Sequence, residues 1–236
     1  MELSQSSKTA LVFGATGLVG KSLVMQLLRS PYYARVRTLG RRKLELTHPK
    51  LQQEVINFDR PEEYRSLCKA DDVFSCLGTT RAKAGSKAAF FQVDFTYAYR
   101  LARLAAEENS HQYLLVSSAG ADVDSPFFYS QVKGELEQAV RELPFWAIHI
   151  FRPSVLEGER AEIRMGEALA ARVLRGADFL SGGRLAPYRP IAAETVALAM
   201  LRSAQLLKPG LFLHPNEELE GLAEPISKRL QERPRS

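Results

Sequence analysis

The sequence is poor in cysteine and contains no long hydrophobic run. Its 236 residues include two cysteines, Cys68 and Cys76, which are too few for a disulfide framework and do not fit the ligand spacing of a zinc site. No apolar stretch approaches the roughly 20 residues that a membrane-spanning helix needs. The polar segment 1–8 lacks the basic and then apolar layout of a signal peptide. These absences lead us to expect a cytoplasmic protein with no membrane partner.

Basic residues are in excess, but they are not concentrated in one place. The formal net charge is +5, and the Lys and Arg residues are scattered apart from Arg41-Arg42-Lys43 and a cluster near the C-terminus. A nucleic-acid-binding surface is expected to show a dense basic stripe with aromatic residues between the charges. The four histidines, in turn, lack metal-ligand spacing. We therefore expect neither a nucleic-acid partner nor a metal site.

Short apolar runs alternate with segments of helical periodicity along most of the chain. The apolar runs predict strands at residues 9–13, 36–39, 53–58, 72–77, 113–116 and 146–151. The periodic segments predict helices at residues 21–29, 88–107, 129–143, 162–175 and 192–206. Strands that alternate with helices favour a parallel sheet with helices on both faces. The predicted fold class is therefore α/β, a Rossmann-type doubly wound parallel sheet.

The length of the chain suits one α/β domain with a modest addition. We predict a single domain over residues 1–236, with its core at about 8–155. A small lobe at about 156–215 would lie over the open end of the sheet, where a substrate would bind, and a charged tail at about 217–236 would follow, partly disordered.

A glycine-rich turn follows the first predicted strand directly. Gly14, Gly17 and Gly20 stand in a GxxGxxG spacing at the start of a predicted helix. In a dinucleotide-binding turn, the first glycine permits the tight turn, the second lets the backbone approach a pyrophosphate, and the third lets the helix pack close to the strand. The N-terminus of the helix offers free N–H groups and a positive dipole end to the phosphates. The turn therefore predicts a dinucleotide cofactor.

The residues after the second strand favour NADP(H) over NAD. An acidic residue at that place would bind the ribose hydroxyls of NAD, but this chain has Arg41-Arg42-Lys43. A guanidinium can bind a 2′-phosphate in a bidentate fork and stack on the adenine. Asp59 follows the third strand, where adenine contacts usually arise. The segment 77–79, with Leu77, Gly78 and Thr79, ends the fourth strand and is expected to pass close to the cofactor.

Tyr129 and Lys133 stand four residues apart at the start of the helix predicted after the fifth strand. This spacing places both side chains on one helix face, and Ser117 and Ser118 end the fifth strand at the same edge of the sheet. Reduction of a carbonyl needs a proton for the developing alkoxide, and a lysine ammonium makes a tyrosine a better acid–base group near neutral pH. We predict that Tyr129 donates the proton and that Lys133 activates it and could also bind the nicotinamide ribose. Ser118, or Ser117, would donate a hydrogen bond to the substrate oxygen.

Together these features resemble the extended and atypical short-chain dehydrogenase/reductases. Besides the glycine turn, the segments that carry the resemblance are 39–43, 76–85, 93–94, 117–122, 131–135 and 151–153. A narrower similarity is to the Tat-interacting-protein branch, which includes a mammalian tumour-suppressor-associated oxidoreductase. Many extended members carry Val-Asn in the helix after the fourth strand, and that asparagine holds a water of their proton relay. This chain has Val93-Asp94 at the same place.

The resemblance implies an NADP(H) site and catalytic roles for Ser118, Tyr129 and Lys133. It places the cofactor against residues of the glycine turn, of the loops after the second and fourth strands, and of the region after the sixth strand. These residues are Gly14, Thr16, Gly17, Leu18, Val19, Gly20, Arg41, Arg42, Gly78, Thr79, Lys133, Pro153 and Val155.

Two functions from different classes fit these residues. The leading hypothesis is an NADP(H)-dependent oxidoreductase that reduces a small carbonyl compound. The alternative is a regulatory protein that binds NADP(H) and acts through a protein partner with little or no catalysis. A sugar epimerase or dehydratase would use the same three residues but usually needs a larger substrate domain. The sequence predicts neither the substrate nor the oligomeric state.

Overall fold

Nine strands and seven α-helices build the parts of the chain that the computed structural model describes, residues 8–157 and 189–225. The strands are β1 Lys8–Phe13, β2 Tyr33–Gly40, β3 Leu51–Val55, β4 Asp72–Ser75, β5 Gln112–Val116, β6 Ala147–Arg152, β7 Leu156–Glu157, β8 Ile191–Ala192 and β9 Gly210–Pro215. The helices are α1 Leu18–Arg29, α2 Arg81–Ala84, α3 Lys87–Phe91, α4 Ala98–Glu107, α5 Phe128–Arg141, α6 Ala193–Ala204 and α7 Asn216–Ala223. Two short 3₁₀ turns, Pro61–Glu63 and Arg65–Cys68, precede β4.

Seven of the strands form one parallel sheet in the order β3-β2-β1-β4-β5-β6-β9. The chain builds outward from β1 to β3 and then crosses back to place β4 on the other side of β1. The carboxyl ends of β1 and β4 therefore flank the point where the strand order reverses, and ligands of doubly wound sheets bind at this crevice. The predicted fold class is confirmed.

Helices cover both faces of the sheet, and this explains why the central strands β4 and β5 are buried along their whole length. On one face α1, α6 and α7 pack on a cluster that includes Val12, Leu114 and Phe151. On the other face α4 and α5 pack on a cluster that includes Leu11 and Leu115. Strands β4 and β5 are buried at every position, as expected for parallel strands covered on both sides.

The segment after residue 190 differs in part from the prediction. Helix α6 falls within the predicted 192–206 segment, but it packs on the sheet beside α1, and its neighbour β9 pairs with β6 as a seventh strand of the sheet. Helix α6 and strand β9 therefore extend the core layers within the region predicted as a lobe. The start of the predicted tail forms α7. The predicted helix at 162–175 lies outside the described residues, and the division of the chain into core, lobe and tail stays a prediction.

The helical segment predicted at 88–107 contains a π-helical turn. Helix α3 runs into this turn at Gln92–Tyr97, which then continues as α4. A π-turn inserts an extra residue into the helix and rotates the side chains that follow, and such turns are frequent at functional sites. Here the turn carries Asp94 into the interior, where it is completely buried.

Candidate active site

The glycine turn adopts the backbone that its spacing predicts. Gly14 has a φ of 75°, and a Cβ at this position would lie 2.4 Å from the carbonyl oxygen of Cys76 at the end of β4. A Cβ at Gly20 would lie 2.2 Å from the carbonyl oxygen of Gly14. Both contacts are too short for any side chain, so these glycines let the turn, helix α1 and the β4 loop meet at backbone distance.

Helix α1 begins at the turn with its N-terminus open. Gly17 is the N-cap residue and gives no side-chain cap, and the first turn of the helix carries no acidic residue. The free N–H groups and the positive end of the helix dipole suit the binding of phosphate oxygens. The residues present therefore fit the pyrophosphate of a dinucleotide, which agrees with the predicted contacts from Thr16, Leu18 and Val19.

The predicted adenosine side of the site lies where the second and third strands end. Arg41 and Arg42 directly follow β2, and both are exposed. Asp59 is also exposed, and its Oδ1 accepts a hydrogen bond from the Tyr97 hydroxyl at 2.9 Å. Because Tyr97 already fixes this carboxylate, the proposed adenine contact of Asp59 would have to share its oxygens with Tyr97.

A single cleft collects the residues predicted for catalysis. It opens at the carboxyl ends of β4, β5 and β6 and is lined by Cys76, Leu77, Gly78, Thr79, Asp94, Val116, Ser117, Ser118, Tyr129, Lys133, Pro153, Ser154 and Leu156. The Tyr-Lys pair comes from α5, and the two serines come from the end of β5. The structure thus brings Ser117, Ser118, Tyr129 and Lys133 together with Gly78 and Thr79, as the sequence predicts.

Lys133 is held by a carboxylate inside this cleft. Its Nζ lies 2.7 Å from Oδ1 of Asp94, and the side chains of both residues are almost completely buried, with 5% and 0% exposed. The other carboxylate oxygen of Asp94 accepts the backbone N–H of Thr79 at 2.8 Å. Asp94 therefore ties helix α5 to the loop after β4.

The hydroxyl of Ser117 is bound to a neighbouring carboxylate and is not free to bind a substrate. Its hydroxyl donates to Oε1 of Glu137 at 2.5 Å, and Glu137 is itself 2% exposed. Arg152 donates from Nε and Nη2 to the two oxygens of that carboxylate, at 2.9 and 2.6 Å. Because the one hydroxyl proton of Ser117 is taken by Glu137, this geometry favours Ser118 of the two serines.

Several contacts hold the loop after β5 and the start of α5 in place. A Cβ at Gly134 would lie 2.4 Å from the carbonyl carbon of Asp122, so the loop after β5 passes directly over helix α5. The N–H of Ala119 donates to the carbonyl of Pro153 at 2.9 Å. The ring of Phe90 packs at 5.6 Å from the ring of Tyr129, measured between centroids.

The two residues expected beside the nicotinamide differ in their position. Pro153 lines the cleft, whereas the carbonyl of Val155 accepts the N–H of Ile191 at 2.9 Å and so belongs to the pairing of β7 with β8. A cofactor contact from Val155 therefore stays a prediction.

Residues 14–155 match the model of a family described as NAD(P)H-binding. The chain belongs to this NAD(P)H-binding family. Its similarity to the Tat-interacting-protein branch of the short-chain dehydrogenase/reductases is also confirmed. Rat HTATIP2 is 38% identical over 214 residues, which cover 89% of this chain and 85% of the relative.

Fungal relatives of this NAD(P)H-binding protein correct one prediction. Protein FMP52 of Coccidioides immitis is 38% identical, with 73% of this chain and 76% of the relative covered. Protein FMP52 of Candida albicans is 36% identical, with 70% and 75% covered. Both relatives are mitochondrial, which contradicts the predicted cytoplasmic location. The prediction was wrong because a low cysteine content excludes a disulfide framework but does not distinguish one compartment from another.

Solved structures support the fold of the NAD(P)H-binding protein. MoeE5 in complex with UDP-glucose and NAD superposes with a TM-score of 0.66 at 17% identity, over 87% of this chain and 74% of MoeE5. A UDP-N-acetylglucosamine 4-epimerase from Methanobrevibacter ruminantium superposes with a TM-score of 0.65 at 15% identity, over 96% and 83% of the two chains.

Within residues 8–157 and 189–225, no helix combines the length and apolarity that crossing a membrane requires.

The sequence analysis did not assign Asp94 or Glu137 to the site. Each stands in a helical segment at a position that the pattern assigns to the core, since Phe90, Asp94 and Ala98 share one buried face. An acidic residue at a core position is almost always paired. That signal could have predicted a buried basic partner, although it could not have identified the partner.

Proposed function

We propose that the protein is an NADP(H)-dependent oxidoreductase of the short-chain dehydrogenase/reductase type that reduces a small carbonyl compound. One observation carries the proposal. Ser118, Tyr129 and Lys133 line the same cleft as Gly78 and Thr79, at the strand ends that flank the glycine turn. A proton donor, a hydrogen-bond donor and a cation thus share the crevice in which dinucleotides bind.

Each of these residues has a role that its chemistry supports. Bound NADPH supplies a hydride to the carbonyl carbon. The carbonyl oxygen becomes an alkoxide, and Tyr129 donates the proton that completes the alcohol. Ser118 donates a hydrogen bond to the same oxygen and fixes its position. Lys133 binds the nicotinamide ribose and places a positive charge near the phenol.

The proposed preference for NADPH rests on the loop after β2. Arg41 and Arg42 are exposed where the 2′-position of the adenosine ribose would lie in a doubly wound fold. A guanidinium there recognises a phosphate in a bidentate geometry and gains little from a free hydroxyl. We expect NADPH to bind more tightly than NADH by about 1.5–3 kcal/mol, the typical contribution of hydrogen bonds to a charged group.

The first experiment tests the cofactor. Isothermal titration with NADPH and NADH is performed on the parent protein and on Arg41→Ala. We expect at least a tenfold weaker affinity of the variant for NADPH and an unchanged affinity for NADH. Arg103→Ala is the matched control, because Arg103 is an exposed arginine of α4 that pairs with Glu107. Equal affinities of the parent for both nucleotides would refute the preference.

The second experiment tests catalysis. NADPH oxidation is measured with a panel of small aldehydes and ketones, and UDP-sugars are included because similar folds bind them. We expect Tyr129→Phe to lower kcat at least 100-fold and to change the affinity for NADPH less than threefold. Tyr32→Phe is the control, since Tyr32 is 51% exposed. Tight binding of NADPH without turnover in the parent would support the regulatory alternative instead.

A further inference from the structure

The cleft holds an ion pair that is unusually well shielded from water. Asp94 and Lys133 approach to 2.7 Å with side chains that are 0% and 5% exposed. Burial of two charges costs several kcal/mol per ion before their attraction offsets it. Hydrophobic residues of similar size would fill the same space at a lower cost. The pair therefore has a role other than stability, and its position in the cleft indicates the site chemistry.

Among the described groups around Lys133, Asp94 is the one whose charge can balance that of the lysine. The π-turn contributes Asp94, and the loop after β4 contributes Cys76. On α5, Tyr129 lies one turn before Lys133. Glu137 lies one turn after it, and its carboxylate is held by Arg152. Asp94 is thus the one carboxylate among the described residues that line the cleft.

We propose that Asp94 is a positioning residue that balances the charge of Lys133 and so adjusts the site for proton donation by Tyr129. A carboxylate in contact with the ammonium offsets the positive potential that would draw the proton from the phenol. The carboxylate thus weakens the pull of Lys133 on the phenol proton, and carbonyl reduction consumes the protonated phenol. The inference rests on the proposed function. It adds that the charge balance favours proton donation, as in the reduction of a carbonyl, over proton removal, as in the oxidation of an alcohol.

The second contact of Asp94 offers a way to separate charge from shape. Its Oδ2 accepts the N–H of Thr79 at 2.8 Å, and an amide oxygen can accept that hydrogen bond equally well. Asp94→Asn therefore removes the negative charge and retains the link to the β4 loop when its amide oxygen faces Thr79, which turns the amide N–H₂ group toward Lys133. Asp94→Ala removes both.

The kinetic test compares pH–rate profiles of NADPH-dependent reduction. Loss of the charge should move the basic limb of the Asp94→Asn profile about one pH unit lower, the size of effect that one nearby charge produces. On that limb the rate falls about tenfold relative to the parent, and the rate on the low-pH plateau stays within about threefold. Glu142→Gln is the control, since it removes an exposed carboxylate just after α5, outside this contact, and should leave the limb in place.

A spectroscopic test does not depend on turnover. Tyrosinate absorbance is titrated for the parent, and the titration of Tyr129→Phe is subtracted to isolate Tyr129. The same difference is taken between Asp94→Asn and the double variant Asp94→Asn/Tyr129→Phe. We expect the midpoint to be about one pH unit lower without the carboxylate. Superimposable curves would overturn the charge-balancing role. Shifted curves in a protein without turnover would retain that role and refute only the proposed reductase activity.

Discussion

The histidine pair between β6 and β9 predicts that the fold loses stability in mild acid. His149 and His214 are buried, and Nδ1 of one lies 3.0 Å from Nε2 of the other. The rings of Phe151 and Phe212 pack against them. Two neutral rings satisfy this contact, because one ring nitrogen can donate its proton to the other. Burial lowers the pKa of His149 to about 3 and that of His214 to about 4.

The sign of the effect follows from these lowered pKa values. An unfolded chain binds protons at both histidines as the pH falls through about 6.5, whereas the folded chain binds them only near pH 3 to 4. The stabilisation is therefore complete above pH 6.5 and is lost progressively below it. Relative to neutral pH, each histidine lowers the free energy of unfolding by about 2 kcal/mol at pH 5, or about 4 kcal/mol together. That sum is a large part of the 5–15 kcal/mol typical of a folded domain.

Urea unfolding followed by far-UV circular dichroism between pH 7.5 and pH 4.5 measures this loss. The double variant His149→Leu/His214→Leu replaces a hydrogen-bonded pair by apolar side chains of similar volume, which is expected to be nearly neutral at pH 7.5. Between pH 7.5 and pH 5 the parent should lose about 4 kcal/mol more than the variant. His111→Gln is the control, because His111 is exposed. Parallel stability curves for parent and double variant would refute the reasoning.

Two further predictions concern the packing of the site. Gly20→Ala places a methyl group against the backbone of the turn before α1, and we expect a melting temperature about 5–10 °C lower and at least tenfold weaker NADPH binding. The control Gly221→Ala lies at a helix position with open space around it and should change neither quantity. Equal effects of the two substitutions would contradict the account. Glu137→Gln removes the carboxylate that Arg152 binds, and urea unfolding should show a loss of about 3 kcal/mol, the lower end for a broken buried pair. Exposed Glu142→Gln serves as its control, and a loss below about 1 kcal/mol at Glu137 would show that Arg152 finds another partner.

The central sheet was predictable because local signals agree with the fold. Strands such as β4 and β5 are buried at every position, so each carries a short apolar run that the sequence reveals. Strand β9 was missed because it lies at the edge of the sheet, where Leu211 and Leu213 are 51% and 42% exposed. His214 and Pro215 interrupt its apolar pattern further. An edge strand needs less burial than a central strand, and its sequence is correspondingly less informative.

Some residues of the candidate site could be predicted from the sequence, and their partners could not. The glycine turn and the Tyr129–Lys133 pair are local patterns whose spacing alone defines their geometry. The partners of those residues are not local. Asp94 lies 39 positions before Lys133 in the sequence, and only the order of the strands brings β4, the π-turn and α5 together. Residue types can predict that a buried acid has a partner, but topology selects the partner.

The non-local pairs also explain how the cleft-lining face of α5 is oriented. Apolar residues on a helix tolerate small rotations, because hydrophobic contact has no direction. Lys133 and Glu137 stand one turn apart on α5 and are bound by Asp94 of the π-turn and by Arg152 of β6. Two ion pairs with fixed geometry leave the helix little freedom to rotate or slide. Tyr129, one turn before Lys133, inherits this orientation. Buried charge here therefore contributes precision to the position of the phenol, and the proposed proton transfer would depend on that precision.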